Sequence, residues 1–215
     1  MNEIHGVWRV LVQRGVTILL AWALLVMPAL AAGNRTILVM GDSLSASYGL
    51  AANQGWVDLI AQRMKTSHPG WRMVNASIGG ETSAGGAARI AAALARERPS
   101  VVVIELGSND GLRGLPLSQT RGNLEKMIRA AQAAKARVLL IGMRMPPNYG
   151  RDYTRGFEAI FLELSKQYRT DFLPFLLAPI ASDRNAFQDD NLHPVAGAEP
   201  KLRDHVWPVL LPLLR

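Results

Sequence analysis

The chain has 215 residues, 49% of them hydrophobic, with no cysteine and a formal net charge of +7. That length suits one domain with a full core, and the missing thiols exclude disulfides, a cysteine nucleophile, thiolate-bound metals and lipidation at a cleavage site. The basic residues are scattered, with no Lys/Arg stripe or interleaved aromatics, which argues against nucleic acid as a partner and at most favours anionic substrates or membrane surfaces slightly.

The N-terminus carries Arg9 and Arg14, then an uncharged run from Val16 to Ala32 ending in Ala29-Leu30-Ala31. A basic start, a short apolar stretch and an A-x-A site describe a secretory signal peptide. Residues 1–31 are expected to be removed, after Ala31 or Ala32, leaving 32–215 as one domain in the periplasm or outside the cell. The competing reading is an uncleaved membrane anchor, but the run falls short of the ~20 residues a spanning helix needs. Without residues 1–31 the chain keeps 22 basic against 16 acidic residues, a net charge of +6.

Strand-like apolar runs follow at Thr36–Met40, Arg72–Ala76, Val101–Leu106 and Val138–Gly142, with a weaker one at Asp171–Leu173. Helical patterns lie between them. A first helix is expected over Trp56–Thr66, and Thr82 is placed to cap a second that runs to Glu97. Leu124, Met127, Ile128 and Ala131 recur at helical spacing, as do Phe157, Ile160, Phe161 and Leu164. Pro200 suits a helix start, whereas Pro208 should kink or end that last helix. Strands alternating with helices predict an α/β fold: a flavodoxin-like, doubly wound α/β/α sandwich around a parallel five-stranded sheet.

In such sheets ligands bind beyond the carboxyl ends of the strands. Ser43 follows the first strand within Gly41-Asp42-Ser43-Leu44, Gly79-Gly80 follows the second, and Gly107-Ser108-Asn109-Asp110 follows the third as a strand-end loop. Asp190-Asn191-Leu192-His193 comes after the last strand. A serine nucleophile needs a base to take its proton, and the base needs a carboxylate to hold its tautomer. The chain supplies hydroxyl, carboxylate and imidazole in that order. Blander readings exist for each. Ser43 could cap a helix, Gly79-Gly80 could be a plain turn, and Asn109 could bond its own backbone. Asp189 competes with Asp190, although a three-residue spacing to His193 favours Asp190. His68 and His205 read as surface or packing residues, and the tryptophans as packing except for Trp56 near the first loop.

Gly41-Asp42-Ser43-Leu44-Ser45, Ser77-Ile78-Gly79-Gly80-Glu81-Thr82, Gly107-Ser108-Asn109-Asp110 and Asp190-Asn191-Leu192-His193 together resemble the four blocks of the SGNH (GDSL) hydrolases. Gly111-Leu112-Arg113-Gly114 and Met145-Pro146-Pro147-Asn148-Tyr149-Gly150 resemble the branch of periplasmic acyl-CoA thioesterases, lysophospholipases and arylesterases. The resemblance implies that Ser43 is the nucleophile, His193 the general base and then acid, and Asp190 its orienting partner. It implies an oxyanion hole made by the Ser43 N–H, the Gly80 N–H (with Gly79 one residue away) and the Asn109 side-chain amide. Preorganised donors of this kind meet the charge that develops on the carbonyl oxygen. Two positions depart from the branch: Ser47 stands where Gly is common, and Glu81 where Asp is usual.

The expected activity is a serine esterase/thioesterase acting on acyl-CoA, lysophospholipid and aryl esters through an acyl-enzyme. No cofactor and no metal are expected, and the partner is a small-molecule or lipid acyl ester, met by a monomer with at most peripheral membrane contact. Leu44, Leu112, Leu115, Met145, Pro146 and Tyr149 are the candidate acyl-chain contacts. The alternatives are a carbohydrate O-acetylesterase with the same three residues and a non-catalytic binding module on the same sheet. Nucleotide binding is disfavoured, since no phosphate-cradling Gly-rich turn opens a helix after the first strand.

Overall fold

The computed structural model describes residues 35–215; the expected signal segment lies outside the described residues. Five strands, β1 (Arg35–Gly41), β2 (Trp71–Asn75), β3 (Val101–Glu105), β4 (Arg137–Ile141) and β5 (Asp171–Leu173), form one sheet in the order β2-β1-β3-β4-β5. Every pairing is parallel. The order reverses beside β1, and that is where a crevice opens in a doubly wound sheet.

Among the described residues six helices connect or flank the strands: α1 (Trp56–Ser67), α2 (Ser83–Glu97), α3 (Ser108–Leu112), α4 (Leu117–Ala133), α5 (Arg151–Tyr168) and α6 (Glu199–Leu210). Helices α2, α4 and α5 pack side by side on one face, and α1 and α6 cover the other. Burial from both sides explains why β1 and β3 read as unbroken apolar runs rather than alternating ones. The predicted stripes on α4 and α5 are buried. Thr82 caps α2, its hydroxyl accepting from the Gly85 N–H at 3.3 Å. Fully burying a residue such as Phe157, Phe161 or Ile37 contributes about 1.5–3 kcal/mol, so the sheet and these two stripes each stabilise the fold substantially.

The register of β1 on β3 sets Ile37 opposite Val101 and Gly41 opposite Glu105. The two central strands therefore end level, and the segments leaving them emerge side by side. Four expectations are corrected here. Gly107-Asp110 is not an open loop: Gly107, at a φ of 118° that only glycine tolerates well, turns the chain into the one-turn helix α3. Trp56 is fully buried at the start of α1 and offers no binding platform. Ser43 caps no helix, because turns run through residues 43–49 and α1 begins only at Trp56. Helix α6 continues two residues past Pro208 and then tightens into a 3₁₀ turn over Leu211–Leu214. α-Helical bonding thus stops within one turn of the proline.

Candidate active site

The chain leaving β1 turns sharply, with Ala46 N–H donating to Asp42 O at 2.9 Å and Tyr48 N–H to Ser43 O at 3.1 Å. Gly41 permits the turn, since a Cβ there would lie 2.6 Å from Ser45 Cβ and 2.9 Å from Glu105 Oε2. Ser47 sits at a φ of 61°, which gives a physical reason for glycine being common at that position. The turn presents Ser43 Oγ 2.7 Å from His193 Nε2. On the far side of the ring, His193 Nδ1 lies 2.6 Å from Asp190 Oδ2. Asp190 Oδ1 accepts the N–H of Leu192 at 2.9 Å and of His193 at 3.0 Å, so the loop wraps its own carboxylate.

Partial burial works against ionisation of Asp190, but hydrogen bonds from the His193 ring and from the His193 and Leu192 N–H groups hold its carboxyl at about 2. An ionised Asp190 accepts a hydrogen bond from Nδ1–H and leaves Nε2 as the acceptor facing the Ser43 hydroxyl. Asp190, not Asp189, is the carboxylate on the ring. The imidazole is also held from outside. Gln188 N–H donates to His193 O at 2.8 Å, and Gln188 Nε2 donates to Tyr48 O at 2.9 Å and Pro194 O at 3.0 Å. The Tyr48 ring lies 4.4 Å from the imidazole, centroid to centroid.

Of the three expected amide donors, those of Ser43 and Asn109 belong to residues that line the cleft over this chain of hydrogen bonds. Among the described residues neither the Ser43 nor the Gly80 N–H donates to another protein group. Gly80 has a φ of 74°, which distinguishes it from Gly79. Asn109, on α3, donates from Nδ2 to Glu81 O at 3.0 Å and to Asp42 Oδ2 at 3.3 Å. Asp110 next to it is turned away and binds α2 and α4 together through the Ser83 N–H at 2.8 Å and the Thr120 hydroxyl at 3.3 Å. Burial pushes the Asp42 carboxyl up to about 6, against the Leu44 N–H and the Asn109 amide that favour its ionised form.

A cleft of about 390 Å³ opens over Ser43 and His193. Its wall includes the expected Leu44, Leu112, Met145 and Pro146, with Asn109 and Asp42 at the polar end. Pro147, Ser108, Asn191 and Leu192, from the blocks quoted above, also line it, as does Arg144; Met143, Phe175, Leu177, Ala181 and Phe187 were not singled out from the sequence, because their loops carry no periodic pattern. Tyr149 and Leu115 stand outside the wall: the Tyr149 hydroxyl donates to Leu112 O and that of Tyr153 to Leu115 O, each at 3.0 Å, so they brace the cleft from behind. Glu105 was also missed. Its signal is a lone carboxylate within Val101-Val102-Val103-Ile104-Glu105-Leu106, a segment buried on both faces. Among the described residues no group of three or more His, Cys, Asp or Glu side chains is placed to hold a metal ion.

A hydroxyl, imidazole and carboxylate joined beside the unpaired Ser43 N–H, at the carboxyl ends of a doubly wound sheet, define a site suited to ester hydrolysis. The model of the GDSL-like lipase/acylhydrolase family matches residues 39–197, and the chain belongs to that family. It is 46% identical over 183 residues to esterase TesA of Pseudomonas aeruginosa, covering 85% of this chain and 91% of that protein. It is 39% identical over 184 residues to the thioesterase 1/protease 1/lysophospholipase L1 of Escherichia coli, covering 86% of this chain and 87% of that one. The crystal structure of the psychrotrophic esterase EstA from Pseudoalteromonas sp., inhibited by monoethylphosphonate, matches with a TM-score of 0.80 at 38% identity, over 84% of this chain and 98% of that one. The chain is accordingly an ester-hydrolysing enzyme that acts on small-molecule esters.

Proposed function

We propose that the protein is a secreted or periplasmic serine esterase/thioesterase of broad acyl range, cleaving acyl-CoA, lysophospholipid and aryl esters through an acyl-enzyme. The observation that carries this reading is the Ser43–His193–Asp190 hydrogen-bonded chain lying at the floor of an apolar cleft. His193 Nε2 takes the Ser43 proton as Oγ attacks the acyl carbon. Asp190 stabilises the imidazolium that forms without taking a proton itself. The carbonyl oxygen gains the negative charge and meets the N–H groups of Ser43 and Gly80 and the Asn109 amide. Collapse expels the alcohol or thiol, which receives the proton from His193. A water then repeats the sequence on the acyl-Ser43 ester and releases the carboxylic acid.

The cleft supports the acyl range. Each methylene buried against walls such as Leu112, Met145, Phe175 and Leu177 adds about 0.8 kcal/mol of binding until the space is filled. The family relatives named esterase, thioesterase and lysophospholipase support the choice of bonds. A chain-length series of acyl-CoA, p-nitrophenyl and lysophospholipid substrates tests it: kcat/KM should climb with chain length and then level off. Activity confined to acetyl groups on sugars would overturn it in favour of an O-acetylesterase. Secretion rests on the basic, apolar and A-x-A pattern of residues 1–31. The mature mass from the native host should lack that segment, and a retained Met1 would contradict the proposal.

A further inference from the structure

Glu105 is a fully buried carboxylate that ends the central strand β3, and nothing in the reaction above uses it. It lies at the carboxyl end of β3, opposite Gly41. Its Oε2 is 2.6 Å from Ser45 Oγ and 3.5 Å from the Asp42 N–H, while Oε1 has no hydrogen-bond partner among the described residues. The missing Cβ of Gly41 makes room for this approach. An apolar side chain would fill such a space at lower desolvation cost, so a carboxyl without a cation is a sign of a site rather than of packing. The groups it reaches belong to the same five-residue turn that carries Ser43.

We propose that Glu105, through Ser45 and the Asp42 backbone, is a positioning residue that fixes the Gly41–Ser45 turn, keeping Ser43 Oγ in line with His193 and the Asp42 carboxylate against Asn109. This inference rests on the roles given above to Ser43 and Asn109. Asp42 is the second half of the device. It accepts the Leu44 N–H at 3.0 Å and Asn109 Nδ2 at 3.3 Å, so a turn displaced from Glu105 would also release the amide donor. Complete burial and the neighbouring Asp42 charge push the Glu105 carboxyl well above the usual range, which disfavours its ionised form. The other charged groups nearby do not alter this assignment. His193 favours the ionised form of Asp42, Asp110 is turned to Ser83 and Thr120, and Glu81 is paired with Arg89 at 2.7 Å.

The test measures kcat and KM per active site, titrated with a fluorophosphonate, for Glu105→Leu, Glu105→Gln and Ser45→Ala. Displacing a reacting group by about 1 Å costs up to about a hundredfold, so Glu105→Leu should lose at least about tenfold in kcat with KM nearly unchanged. Glu105→Gln keeps the shape and the acceptor, and should recover most of that kcat. Should Glu105→Leu fail to fold, Ser45→Ala removes one hydroxyl only and should show the same kcat loss. Wild-type kcat per titrated site in Glu105→Leu, or in Ser45→Ala where the first variant is unfolded, would overturn the proposal. So would a Glu105→Gln as slow as Glu105→Leu. Failure of the underlying reading is separate, since it would appear as activity retained by Ser43→Ala.

Discussion

Glu199 Oε2 accepts the Trp56 N–H at 2.7 Å, joining the first turn of α6 to the first turn of α1. The bond spans the sequence from just past the Ser43 turn to just past the His193 loop, so it ties together the two segments that carry the reacting side chains. Burial pushes this carboxyl from its ordinary 4.5 up to about 7, with the Trp56 N–H opposing and the Asp58 charge assisting.

A pH dependence of stability follows. The folded chain holds the Glu199 proton up to about pH 7, whereas the unfolded chain releases it near 4.5, so the folded state binds more protons across that window. Stability therefore falls as pH rises through it, by up to roughly 3 kcal/mol. Glu199→Gln keeps the acceptor and removes the ionisation, so it should be less pH-sensitive than wild type between pH 4.5 and 7. Denaturant midpoints at several pH values in both proteins check this. Equal slopes would contradict it.

Asp190→Asn should fold normally and lose activity. The amide cannot fix the Nδ1–H tautomer, and His193 Nε2 would no longer face Ser43 as an acceptor. The expected fall in kcat is between about a hundredfold and ten-thousandfold. Asp189→Asn, which alters a side chain away from the ring, should stay within about twofold of wild type if Asp190 holds the role alone.

Asn109→Ala removes a side-chain donor from beside Ser43 and leaves the hydrogen-bonded chain of Ser43, His193 and Asp190 in place. The cost should be about 3 kcal/mol in the transition state, a hundredfold or more in rate, seen in kcat rather than KM. Unchanged kcat would remove Asn109 from the oxyanion site.

Gly142→Ala tests the packing that supports the cleft. A Cβ on Gly142 would sit 2.5 Å from Pro174 O and 3.2 Å from Pro174 C, both backbone atoms that cannot swing aside. The Gly142 N–H and C=O also close the ends of β4 and β5, through Leu173 O at 2.8 Å and Leu176 N at 3.1 Å. Overpacking of this kind costs about 1–3 kcal/mol, and each kcal/mol lowers Tm by about 2–4 °C in a domain this size.

Much of this was legible in the sequence because the relevant signals are local. The five runs gave strands with ends shifted by at most one residue, most plainly at β1 and β3, where burial on both faces leaves little choice of residue type. The stripes on α4 and α5, and Thr82 before α2, depend on neighbours three or four residues away. The three-residue step from Asp190 to His193 likewise closes within one turn of chain. What escaped notice depends on contacts between distant segments. Phe175 and Leu177 join the cleft wall only because the chain after β5 folds across it, and Tyr149 points to Leu112 rather than into the space. Glu105 became meaningful only when β3 was paired level with β1. Pro208 was read as a helix breaker, yet its place in the last turn left little for it to break.

In the proposed reaction Ser43 Oγ is the atom that attacks the acyl carbon. The direct measurement is reaction with a fluorophosphonate followed by mass-spectrometric mapping of the adduct, alongside residual activity on a p-nitrophenyl ester. One adduct per chain on the peptide carrying Ser43, with activity lost in proportion and no labelling of Ser43→Ala, is the predicted result. A label on another residue, or a Ser43→Ala protein that still turns over substrate, would contradict it.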